Sequence, residues 1–236
     1  MSRRLWRRSA LVAGGLVGVC AAGYGALVGW AWTRYGRPAP PSAEEADAQL
    51  DRFLPAYDVA ERHAIHVDAP AAVALAAAKA TDMQQSRMVR TIFRAREVVL
   101  RSTPAERPGP RGLVAETTAL GWGALADIPG RELVMGAVTR PWLANVTFRA
   151  VPPDRFAAFD EPGYVKIAWT LRADPQPDGS SILRTETRVV ATDEHARRKF
   201  RWYWARFSPG IVLIRLVLLP AAKADAERTY RKEGAA

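Results

Sequence analysis

The longest apolar pattern opens the chain. Ser9 to Thr33 is 25 residues without a formal charge, more than the roughly 20 that a helix needs to cross a bilayer core. A helix satisfies its backbone polar groups internally, as lipid demands. Trp6, Trp30, Trp32 and Tyr35 stand near the two ends, where amphipathic rings prefer the interface. The pattern predicts a basic N-terminus over residues 1–8 and a transmembrane helix over residues 9–33. A cleaved signal peptide is the rival. Its apolar region runs about 7–15 residues and ends in small residues, whereas this run closes on Gly29-Trp30-Ala31-Trp32. The Arg pair in Ser2-Arg3-Arg4-Leu5-Trp6 is a weak match to a twin-arginine signal, and Val19 precedes Cys20 where a lipoprotein site takes a small residue.

Beyond the span, Arg37-Pro38-Ala39-Pro40-Pro41 reads as a stiff spacer. Ser42 and Glu45 make a capping-box pattern that predicts a short helix over 43–53, stopped by Pro55. Residues 34–56 thus form a linker with a short helix. The alternation of Val59, Glu61, His63, Ile65 and Val67 predicts a strand. Asp68-Ala69-Pro70 is a helix start, with the Ala-rich helix running to Ala80. A second helix is predicted over Met83–Arg96, then a strand at Val98–Arg101. Gly112–Ala126 shows no clear period. Arg131–Arg140, Val146–Val151 and Phe156–Phe159 have strand character.

The clearest unit is a hairpin. Tyr164–Ala173 and Ser181–Ala191 flank the turn-rich segment Pro175 to Ser180. Val165, Ile167, Trp169 and Leu171 share one face of the first strand, and Leu183, Thr185, Thr187 and Val189 one face of the second. Lys166, Ala168, Thr170 and Arg172, with Ile182, Arg184, Glu186 and Arg188, face the other way and are expected outward, with Glu186 near Lys166 or Thr170. Thr192-Asp193-Glu194 opens a long helix. Phe200, Tyr203, Trp204, Phe207, Ile211, Ile214 and Leu218 follow helical spacing on one face. Pro209-Gly210 is expected to kink or break it, and Pro220 to interrupt it before a charged tail over residues 220–236.

Charge changes the picture only when divided. The net charge is +10, but residues 1–37 carry six Arg and no acid, residues 38–183 carry 16 basic and 18 acidic side chains, and residues 184–236 carry 12 and 6. A near-neutral middle speaks against a nucleic-acid partner, and basic ends suit a membrane surface. Arg3, Arg4, Arg7 and Arg8 precede the span against Arg34 and Arg37 after it. The positive-inside rule then places the N-terminus in the cytoplasm and the body outside it. Gly14-x-x-x-Gly18 and Gly25-x-x-x-Gly29 are small-residue ridges through which the span could form a homodimer. In Arg197–Phe207 the apolar spacing reads first as a core helix, with a second reading as a helix against anionic lipid that exposes Trp202.

Cys20 is the only cysteine, so no disulfide forms within one chain. His63 and His66 point to opposite faces of their strand and cannot clasp one metal. The chain has no HExxH, phosphate loop, GxGxxG or GxSxG pattern. Adjacent Asp160 and Glu161 diverge and decorate a turn. No metal, cofactor or catalytic residue is expected from these patterns.

The order strand, two helices, antiparallel strands, long C-terminal helix resembles the START-like superfamily, also called SRPBCC or polyketide cyclase-like. Ala60–Pro70, Ile128–Val138, Phe156–Trp169 and Thr185–Arg198 resemble a group of uncharacterised bacterial proteins within it. The resemblance covers Tyr57–Leu219. It implies an α+β fold in which a curved antiparallel sheet grips the C-terminal helix (helix-grip) around a cavity for an apolar ligand, and a bacterial inner-membrane location for the anchored form. The inner faces supply Ile167, Trp169, Leu171, Thr185, Thr187, Phe200, Trp204 and Phe207 as candidate ligand-binding residues. The leading function is a single-pass membrane module that binds a lipid or other small hydrophobic molecule without catalysis. A cyclase or hydratase on the same fold, drawing on Glu132, Tyr164 or Glu186, is the second class. A structural or assembly partner with a filled cavity is the third.

Overall fold

The computed structural model describes residue 18 and residues 22–82, 86–103 and 112–234. The predicted span therefore lies partly outside the described residues. Its described end, residues 22–34, is helix α1. Then follow α2 (Ala48–Phe53), β1 (Val59–Val67), α3 (Ala71–Ala80), α4 (Arg87–Leu100), α5 (Leu113–Ala119), β2 (Gly123–Ile128), β3 (Glu132–Thr139), β4 (Phe148–Arg149), α6 (Pro153–Phe156), β5 (Val165–Pro175), β6 (Ser181–Ala191) and α7 (Glu194–Glu233).

The strands form one antiparallel sheet in the order β1-β6-β5-β3-β2, with β4 on β3. The hairpin of β5 and β6 is its centre, and Thr170 pairs with Glu186 as expected. The last strand pairs with the first, and α7 follows directly. Its start is set by Asp193, whose carboxylate accepts from the Ala196 amide at 2.8 Å. A six-stranded sheet with a long C-terminal helix packed on one face fits the helix-grip arrangement.

That face carries two separate apolar clusters. Leu133, Met135, Trp169, Leu171 and Leu183 pack under α3 and the far half of α7, at Leu219, Ala222 and Ala226. Val59, Val165 and Val189 pack under the near half, at Phe200, Tyr203 and Trp204, with Ala31 and Tyr35 from the N-terminal segment. Trp169 and Trp204 are both buried, but in different clusters.

Several elements depart from the periodic pattern. The helix α7 continues through Pro209 and Pro220 to Glu233. Burial at Ser208 beside the first proline, and at Leu219 and Ala222 around the second, works against the roughly 3 kcal/mol a helical proline costs, and the Tyr24 hydroxyl donates to the Arg206 carbonyl near the first. Gly210 lets α4 approach, since a Cβ there would stand 3.0 Å from Ile92. Ser42 and Glu45 make their reciprocal bonds, but around a turn. The helix α2 starts later, with Asp47 capping Leu50. Ser86 caps α4, which absorbs the expected strand at Val98–Arg101. Met83, the predicted start, lies outside the described residues. Gly112–Ala126 resolves into α5 and β2, and Phe156 ends a short helix instead of starting a strand.

The outer face of the sheet is not a solvated face. Leu50, Phe53 and Leu54 of the linker cover it with Val134, Val138, Phe156 and Ala168. Glu186 and Arg188 keep the expected parity but are buried. Arg188 donates to Glu186 (2.8 Å), Asp51 (2.5 Å) and the Leu54 carbonyl (3.0 Å), so the linker supplies partners that water would otherwise provide.

By length and hydropathy α7 is the one helix among the described residues able to cross a membrane. Its interior stripe packs on the sheet.

Candidate functional site

Between the two clusters the inner face does not close. A cavity of about 190 Å³ lies there. Its roof is the stripe Ile211, Ile214, Arg215, Leu218, Leu219 and Ala222, whose successive spacings of three and one repeat close to the helical period, so that all fall on one side of α7. Ala78 and Thr81 of α3 and Leu113 and Thr117 of α5 form the walls, and Trp169 and Thr185 the floor. The wall threonines contribute little polarity. Thr81 Oγ1 donates to the Ala77 carbonyl at 2.9 Å, and Thr117 Oγ1 to the Leu113 carbonyl at 2.7 Å. Trp169 is held from the side by Trp122, ring centroids 6.3 Å apart.

Arg215 is the polar centre. Strand register sets its surroundings: Glu61 pairs with Thr187 and His63 with Thr185, and Thr187 and Thr185 pair in turn with Trp169 and Leu171. All six side chains share the inner face. The guanidinium donates to Thr185 Oγ1 at 2.6 Å and to Thr187 Oγ1. Its Nε is buried without a partner. Burial lowers the Arg215 pKa to about 10, a shift that the charge of Glu61 opposes, so the group stays charged at neutral pH. Burial raises the Glu61 carboxyl, against the pull of Arg215 and Arg62. Burial and then the Arg215 charge lower His63, which is neutral at pH 7. Its Nε2 is 3.8 Å from Glu61, beyond hydrogen-bonding distance.

The eight residues expected to line a site divide. Trp169 and Thr185 line the cavity. Thr187 reaches it through Arg215. Leu171 is buried in the cluster below Leu219. Phe200 and Trp204, with the partly buried Ile167 and Phe207, belong to the neighbouring aromatic cluster, where Phe200 meets Tyr203 and Trp204 at 6.0 and 5.8 Å. These rings pack on one another rather than on the cavity beneath Arg215.

None of the three candidate acids or bases is at the cavity. Glu132 and Glu186 are on the opposite face of the sheet, and Tyr164 packs near Phe159 under Arg140. Burial and the adjacent Asp47 raise the Glu132 carboxyl to about 7, and its partner is the Thr170 hydroxyl at 3.1 Å. That carboxyl belongs to the buried polar layer under the linker. Among the described residues no three His, Cys, Asp or Glu side chains group to hold a metal ion.

Arg215 carried a sequence signal. It is the one charge in Ile211–Leu219, on the stripe otherwise assigned to the interior. The walls carried none, because α5 is too short for its periodicity to stand out.

No protein-family model matches the chain, and no curated protein matches it. Among solved structures the chain is similar to CalU16 from Micromonospora echinospora, at 11% identity and a TM-score of 0.25, over 73% of this chain and 86% of that one. It is also similar to Ara h 8.0201, at 10% identity and a TM-score of 0.22, over 71% and 97%. Likenesses of that size carry no argument; the strand order and the packing of α7 define the fold.

Proposed function

We propose that this chain is a membrane-tethered module that holds a small hydrophobic molecule in the cavity beneath α7. The observation that carries the proposal is the cavity, about 190 Å³ with mostly apolar walls, placed between two well-packed clusters. An engineered apolar cavity of about 150 Å³ takes benzene, so this volume admits a ring or a short chain. Larger sites of about 300–1,000 Å³ hold drug-sized ligands.

The tether is the uncharged run Ser9–Thr33. At its described end Leu27, Trp30 and Trp32 are exposed, and Arg34 and Arg201 lie over the rings of Trp30 and Trp32. Such Trp–Arg pairs suit a headgroup interface. The Arg bias puts the N-terminus in the cytoplasm and the body beyond the inner membrane. Among the described residues, nothing beyond the helix's own backbone lies within 4 Å of an added Cβ at Gly18, Gly25 or Gly29, which suits close approach of a second copy along the span.

Native mass spectrometry of the detergent-extracted full chain tests the ligand. A co-purified small molecule, released on denaturation, is expected. A bare chain that also takes up no apolar fluorescent probe would leave the structural-partner reading standing in its place.

A further inference from the structure

The cavity contains a cation that no carboxylate among the described residues touches. The two most buried guanidiniums among the described residues, Arg188 and Arg172, are paired with carboxylates. Arg188 holds Glu186 and Asp51, Arg172 holds Asp174 at 3.1 Å, and the partly buried Arg62 holds Glu186 at 2.9 Å. Arg215 differs. Among the described residues no carboxylate oxygen lies within 4.0 Å of it; two threonine hydroxyls are its bonded partners, and Nε has none. Removing an ion from water is costly unless a counter-charge and full hydrogen bonding replace the water. An Arg fork matches a carboxylate or phosphate with paired N–H groups. The apolar stripe on either side of Arg215, with Trp169 below, suits the rest of an amphiphile.

We propose that Arg215 is an anion-binding residue of the cavity, and that the ligand is a small amphipathic carboxylate whose head meets the guanidinium while its ring or short chain lies against Ile211, Ile214, Leu218 and Trp169. This rests on the cavity being a ligand site. Glu61 shares the inner face and its charge acts on Arg215. It therefore disfavours a second negative charge on the guest, which selects a carboxylate over a phosphate dianion.

The test uses the full chain in neutral detergent, titrated calorimetrically against a micelle blank at about pH 8, above the usual carboxylate range. The probes are octanoate, octyl phosphate and octanol. Octanoate is expected to bind at least about tenfold more tightly than octanol, because a charge-assisted bond is stronger than a neutral one. Octyl phosphate should bind more weakly than octanoate. Arg215→Met should lose the octanoate preference and keep octanol binding within about twofold, a difference below what one hydrogen bond contributes. Glu61→Gln removes a competing charge without touching the cation, so it should tighten octanoate binding. That variant decides the matter if Arg215→Met does not fold. Equal binding of octanoate and octanol, or weaker octanoate binding in Glu61→Gln, overturns the anion site and leaves the apolar cavity. Octyl phosphate binding better than octanoate overturns the carboxylate assignment. If none of the three binds, the ligand-site reading falls as well.

Discussion

Filling the cavity separates an open site from a filled core by the sign of one measurement. Ala78 on α3 and Ala222 on α7 line the space from different sides, and both are buried. A dry void costs about 24 cal/mol per Å³ of volume, so 190 Å³ sets an upper limit of about 4–5 kcal/mol to be regained. Ala78→Leu adds three carbon groups at about 0.8 kcal/mol each. It loses about 0.5–1 kcal/mol of side-chain entropy, and the helix tolerates Leu nearly as well as Ala. The net expectation is a gain of about 1–2 kcal/mol, or about 3–6 °C in Tm for a chain of this size. Ala222→Leu should do the same. The double variant should gain less than the sum, because both side chains compete for one space. Denaturation of the full chain in detergent measures the stability, and titration with an apolar fluorescent probe measures the site. Uptake should fall as stability rises. A loss of about 1–3 kcal/mol in both single variants is the mark of overpacking a full core. That outcome, with probe uptake unchanged, would refute the cavity.

Trp204→Ala should cost about 3–5 kcal/mol in denaturation, since its ring is packed on all sides by Phe200 and its neighbours. Trp169→Ala should cost less and change probe uptake, because one side of that ring faces the cavity. Glu132 has a raised pKa, so the folded state binds a proton that the unfolded state has released between about pH 4.5 and 7. Its contribution is complete below the unfolded value and is lost as pH rises through that window, by up to about 3 kcal/mol. Glu132→Gln should flatten that part of the stability–pH curve, and an unchanged slope would place the titration elsewhere. Replacing Arg3, Arg4, Arg7 and Arg8 with Glu should randomise or invert the topology read by a C-terminal reporter fusion; a reporter that is cytoplasmic in the parent would remove the orientation argument.

Periodicity determined the elements whose burial repeats over many residues. The β5–β6 hairpin, the alternation of β1, the cap at Asp193 and the interior stripe of α7 could be read from residue order, because each presents one face to one environment. Charge-free length set the expectation of the span, whose described end, residues 22–34, is helical. Three matters needed the tertiary structure. Parity placed Glu186 and Arg188 on the outer face but could not say that α2 covers it, since nothing in a strand records what a distant segment brings. Pro209 and Pro220 are breakers by local energetics, yet α7 continues through both, with Ser208, Leu219 and Ala222 buried beside them. The inner face reads as one apolar surface, although Phe200, Trp204 and Phe207 fill their half while Ile211, Arg215 and Ala222 leave theirs open. Side-chain type records a preference for burial. Whether buried surfaces meet or leave a gap depends on their distance across the fold, which only the packing of α7, α3 and α5 on the sheet decides.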